Sequence, residues 1–77
     1  MNATIRRRIN IIINNLNEVK DEVGQMSADE QSKYDNLPDG IQESEYGDKY
    51  QEAADKLCDA VNSIDEAIDS LEAVTNE

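Results

Sequence analysis

The sequence predicts an all-α fold: an antiparallel two-helix hairpin, coiled-coil-like, forming a dimeric four-helix bundle, with residues 1–77 as a single domain. Three observations predict it. Two stretches carry apolar residues at heptad spacing. A Pro-Asp-Gly break separates them. The chain is also too short and too charged to enclose a core on its own: 18 acids against 7 bases give a net charge of −11 in 77 residues, and chains of this size usually need staples or partner chains.

The first helix is expected over about residues 3–36. Ile5, Ile9, Ile12, Leu16, Val19, Val23 and Met26 alternate at steps of four and three, which is a seam of a and d positions. Ile13, at an e position, widens that seam, while Ile11 lies nearer the outer side. Asn2 or Thr4 is placed to cap the start. Ser27 with Glu30 reads as a capping box that would open a separate short helix. A continuous helix to about residue 36 is preferred, because it makes both arms equal in length.

The turn is expected at about 37–44. Pro38 stops the helix and pushes Leu37 out of helical geometry. In Pro38-Asp39-Gly40, proline presets φ and glycine accepts positive φ. Ser44 is the natural cap of the next helix.

The second helix, about 45–75, divides from Asp48 into four heptads: DKYQEAA, DKLCDAV, NSIDEAI and DSLEAVT. Tyr50, Leu57, Ile64 and Leu71 hold d; Ala54, Val61, Ile68 and Thr75 hold a; Ala53, Ala60 and Ala67 beside them let another helix approach closely. Two helices cannot cover seams this wide. With one cysteine excluding an internal disulfide, self-association is the expected remedy, as a homodimer or higher homo-oligomer.

Charge is unevenly spread. Residues 1–24 have a net +1 and the remaining 53 a net −12. An antiparallel hairpin would set Arg6 and Arg8 near Asp65 and Glu72, relieving cations at one helix start and anions at the other helix end. Asp48, Glu52, Asp55, Asp59, Glu66 and Asp69 line the outer b and f places of the second helix, an acidic face. It reads either as a solvated surface that aids solubility or as a partner-binding face. In the second case it could imitate the phosphate line of DNA, whose charge falls every 1.7 Å or so, if helices lay side by side in an oligomer.

Enzymatic chemistry is not expected, and neither a cofactor nor a metal site. No histidine is present, which excludes a Ser-His-Asp triad, a His base and a di-iron Glu-x-x-His site. The Asp35–Gly40 stretch lacks the calcium-loop ligands, with Leu37 and Tyr46 where an oxygen donor and a glutamate are required. Gly24, Gly40 and Gly47 do not make a phosphate cradle. Cys58, between Leu57 and Asp59 with acids nearby to oppose thiolate formation, reads as an inert thiol. Arg6, Arg7 and Arg8 without interleaved aromatics suggest internal pairing, so direct nucleic-acid binding is not expected. Tyr34, Tyr46 and Tyr50 read as packing residues near the bend. The longest aliphatic run is three residues, against about 20 for a bilayer span. With asparagines interrupting the first apolar stretch, a cytoplasmic protein is expected.

The segment YDNLPDGIQESEYGDKYQEAADKL and the acidic, alanine-rich heptads after it resemble a group of small proteins of phages and integrated mobile elements of Gram-positive bacteria. The likeness covers roughly residues 30–72 and is carried by Tyr34, Asp35, Asn36, Leu37, Pro38, Gln42, Ser44 and Glu45. The phenylalanine that often follows the tyrosine in that group is missing. The resemblance implies a helical hairpin and an accessory role, with no established activity and no catalytic residue. The expected function is therefore that of a small acidic, non-enzymatic protein that binds and modulates a host protein. The alternatives are a DNA-mimic inhibitor of a nucleic-acid-binding defence protein, of anti-restriction or anti-CRISPR type, or a nucleotide-binding sponge.

Overall fold

A computed structural model describes residues 2–76 as three helices: α1 (Ala3–Asp35), α2 (Asp39–Gln42) and α3 (Glu45–Thr75). The long helices α1 and α3 pack side by side in a rod 58 × 15 × 12 Å. Cross-helix bonds give the direction. Lys20 Nζ donates to Asp65 Oδ1 at 2.9 Å, Ser27 Oγ to the Ala54 carbonyl at 3.0 Å, and the Gln31 and Gln51 amides bond each other at 3.2 and 3.4 Å. Residues rising along α1 meet residues falling along α3, so the pair is antiparallel.

Asn2 caps α1, its Oδ1 accepting the Ile5 N–H at 2.9 Å, one of the donors a first turn leaves open. Thr4 lies inside the helix. Ser27 opens no new helix; α1 runs unbroken for 33 residues, and the Ser27 hydroxyl bonds to α3 instead.

The bend differs from a simple turn. Pro38, with φ −58° and ψ 147°, caps the one-turn helix α2, and its carbonyl accepts from Ile41 and Gln42 at 2.8 and 3.0 Å. Gly40 lies within that turn, and none of the described residues has positive φ. Proline alone sets the direction here, and glycine's left-handed freedom is unused. Ser44 takes the cap position of α3 with extended backbone, but its hydroxyl donates back to the Ile41 carbonyl and accepts no N–H from the first turn of α3. Gln42 does more. Its Nε2 donates to the Tyr34 and Asp35 carbonyls at 3.0 and 3.3 Å, satisfying acceptors that the end of α1 would otherwise leave open.

Gly47 is buried where α2 presses on α3. A Cβ there would lie 2.7 Å from the Gln42 carbonyl carbon and 2.8 Å from its Cα. Both are backbone atoms, so α2 itself would have to move. Gly47→Ala is expected to destabilise the protein by about 1–3 kcal/mol. Gly24→Ala should do the opposite: nothing lies within 4 Å of a Cβ at that site, and alanine is favoured over glycine in a helix interior by about 1 kcal/mol. Chemical denaturation of the two variants checks the pair; equal shifts would refute the close approach at Gly47.

The core is thin. Among the described residues, the buried apolar side chains are Ile13, Ala54 and Ile68. The observed register brings Ile13 level with Ile68. Toward the bend, the contact between helices turns small and polar, through Ser27, Gln31, Gln51 and Ala54.

Candidate interaction surface

On α3, the two expected columns face inward. Tyr50, Leu57, Ile64, Leu71, Val61 and Thr75 are half-buried, and Ala54 and Ile68 are buried. On α1, the seam is divided. Ile13, the residue placed beside the seam by sequence, is the one α1 residue buried against α3. Ile9, Leu16 and Val23 are half-buried. Ile5, Ile12, Val19 and Met26 are 43–53 % exposed, and they recur every seven residues. The apolar face of α1 is wider than the strip one neighbouring helix covers. The hairpin contact centres on one edge of it and leaves the other edge open.

Two landmarks tell the sides of the hairpin apart. Glu30, Tyr46, Lys49 and Tyr50 line a shared cleft of about 300 Å³ on one side. Gln31 and Gln51 pair on the other. Heptad steps from Glu30 and Tyr50 pass through Val23, Leu16 and Ile9 on α1, and Leu57, Ile64 and Leu71 on α3. The adjoining columns are Met26, Val19, Ile12 and Ile5, and Tyr46, Ala53, Ala60, Ala67 and Val74. Steps from Gln31 and Gln51 pass through Gly24, Asn17 and Asn10, and Cys58 and Asp65; beside them run Arg7, Asn14, Asp21 and Ala28, and Asp48, Asp55, Asn62 and Asp69. One side of the rod is therefore apolar across both helices, and the opposite side is polar. Each helix alone looks like an ordinary amphipathic helix; the two-helix face emerges only when the register joins them.

The acidic residues Asp48, Glu52, Asp55, Asp59, Glu66 and Asp69 are all exposed, on the polar and outer sides of α3. They are not uniformly bare. Asp55 Oδ1 accepts from Gln51 at 3.1 Å, and Glu52 pairs with Lys56 at 2.8 Å. Hydrogen bonding to Lys56, together with its charge, lowers the Glu52 pKa below its ordinary 4.5. Asp65, expected near Arg6 and Arg8, lies level with Lys20 and takes its ammonium. The register puts the start of α1 beside the last residues of α3, about ten residues beyond Asp65, too far for an arginine side chain to span. The hydrogen bond and charge of Asp65 raise the Lys20 pKa above 10.5. Cys58 is an exposed thiol. Among the described residues, no group of three His, Cys, Asp or Glu side chains is arranged to hold a metal ion, and no helix is long and apolar enough to cross a membrane.

At the bend, Tyr46 and Tyr50 meet edge to face, with ring centroids 5.7 Å apart and planes at 71°. Tyr46 is 60 % exposed. Glu30 on the cleft wall is held by Lys33 at 3.0 Å. Tyr50 has its pKa raised above 10.0, first by hydrogen bonding to Tyr46 and then by the charge interaction with it. A raised value means that its contribution to stability is complete below about pH 10, the ordinary tyrosine value, and is lost as pH rises through the folded-state value. In an ultraviolet titration, one of the three tyrosines should ionise late, and Tyr46→Phe should return it to the ordinary range. Unchanged titration in that variant would show the two phenols to be uncoupled. The sequence places these rings near the bend as packing residues. Their contact across one helical turn is legible as an i, i+4 pair, but the cleft that Glu30 closes from the other helix is not.

No protein-family model, curated protein or solved structure matches this chain.

Proposed function

We propose that this chain is a non-catalytic interaction protein. It self-associates through the apolar side of the hairpin and offers its acidic outer surface and tyrosine-bearing bend to another protein. The role is the accessory one implied by its resemblance to small phage and mobile-element proteins.

The observation that carries this reading is the two-sidedness of the rod. Apolar residues at heptad spacing lie open on one side, with Ile5, Ile12, Val19 and Met26 exposed, while the other side is polar and rich in acids. A buried core of three side chains among the described residues is small for an independent fold, and a contiguous exposed apolar patch marks an interaction site. The exposed Tyr46 beside its cleft adds the kind of rigid aromatic anchor that protein interfaces favour.

Thermal unfolding at several protein concentrations tests self-association. Because association stabilises the folded form by mass action, Tm should rise as concentration increases. A Tm independent of concentration across a hundredfold range would contradict the proposal.

A further inference from the structure

We infer that the apolar side is covered by a second copy of this chain laid bend over bend, with the two-fold axis along the rod, so that α1 of each hairpin lies on α3 of the other. This rests on the self-association reading and specifies its geometry.

Area comes first. The run from Ile5 to Met26 extends about 32 Å along α1, and two helices side by side are about 20 Å wide. That is roughly 600 Å² on each hairpin, or about 1,200 Å² in total, the lower bound of stable specific interfaces.

Size complementarity selects the orientation. The open column of α1 carries large residues, and the matching column of α3 carries Ala53, Ala60 and Ala67 along its middle, between Tyr46 and Val74 at its ends. A two-fold axis along the rod leaves every residue at its own height, so the partner's α3 meets α1 in the register that the cross-helix bonds already define. In that register Met26 comes between the partner's Ala53 and the partner's Ala60. Val19 comes between the partner's Ala60 and the partner's Ala67, and Ile12 just beyond the partner's Ala67. Large side chains enter the spaces between small ones, as knobs-into-holes packing requires. The reverse arrangement, bend over free end, stacks α1 on α1 and α3 on α3. It sets large on large and alanine on alanine.

Charge agrees. Residues 45–75 of α3 carry nine acids and two lysines, and residues 3–35 of α1 carry six acids and five bases. Stacking α3 on α3 places two strongly negative helices together, whereas α1 on α3 separates them. The two lysines of α3, Lys49 and Lys56, lie one heptad apart in the column that borders the apolar side. The bordering column of α1 holds Glu22 and Asp29 at the same spacing. Bend over bend, Asp29 falls between the partner's Lys49 and the partner's Lys56, and Glu22 falls beside the partner's Lys56. Opposite charges flanking an apolar seam set partner orientation in helical assemblies.

The test uses the full chain with Cys58→Ser and a spin label at Asp39→Cys, an exposed position in the bend; Glu43→Cys is a second site should the first perturb α2. Pulsed dipolar spectroscopy then reads the separation between copies. Helices about 8–10 Å apart predict bend labels roughly 20–30 Å from each other. A separation of about 50–60 Å, near the rod's full length, would overturn the arrangement while leaving self-association intact. No dipolar coupling between copies would remove both.

Discussion

Alanine at position 13 is expected to cost about 2–4 kcal/mol of folding stability, the range for truncating a buried isoleucine that its surroundings cannot refill. Ile13 is the only buried residue of α1, and the register sets it level with Ile68 in a core that has three side chains among the described residues. Little else is available to compensate. Against a total of only a few kcal/mol for a domain of this size, the variant should be substantially unfolded at ambient temperature. Ile11→Ala is the internal comparison. Ile11 is 55 % exposed on the outer side of α1, and its truncation should stay within about 0.5 kcal/mol. Urea denaturation followed by circular dichroism measures both. Equal losses would mean that α1 is not oriented as described.

Glutamate at positions 12 and 19 together is expected to break self-association, weakening it by more than about a hundredfold. Ile12 and Val19 are roughly half exposed in the hairpin, so charge there costs the lone chain little. It would bury two carboxylates per subunit between apolar surfaces if a second copy were present, and unpaired buried charge is strongly unfavourable. The three consecutive isoleucines therefore have three different fates. Ile13 is buried against α3, Ile12 lies on the open apolar edge and Ile11 meets solvent on the outer side. The Ile13 change should lower stability at every protein concentration. The Ile12 and Val19 change should abolish the dependence on concentration. If the double variant sedimented like the parent chain, the apolar side would not be the contact.

The architecture of α3 is legible in its sequence because its apolar residues form a narrow, regular strip. Two columns, at Tyr50 and Ala54 and their heptad successors, can face only one way. Helix α1 is harder to read. Its apolar residues fill two columns and Ile13 extends them into a third, and periodicity gives the width of such a face without saying which edge meets the neighbouring helix. That choice depends on the register and on Lys20 and Ser27, which enter the contact because Asp65 and the Ala54 carbonyl satisfy them. The bend is legible as a break at Pro38, but not in detail. A four-residue helix is too short to show periodicity. The approach of the Gln42 backbone to Gly47, and the Gln42 amide closing the end of α1, are tertiary contacts without a local signature. They also give the bend motif a structural basis: Asn36 ends α1, Pro38 starts the turn, Gln42 caps backward and Ser44 begins α3. The misplaced pairing of Asp65 with Arg6 and Arg8 has a similar source. Summed charge indicates which ends attract each other, and only the register decides which residues meet.

Sedimentation equilibrium of the unmodified chain at micromolar concentration decides whether the hairpin stands alone or pairs with a second copy. Self-association requires a folded, helical species of twice the 8.6 kDa chain mass, dissociating with loss of helix on dilution. A stable, fully helical particle of single-chain mass at that concentration would contradict it.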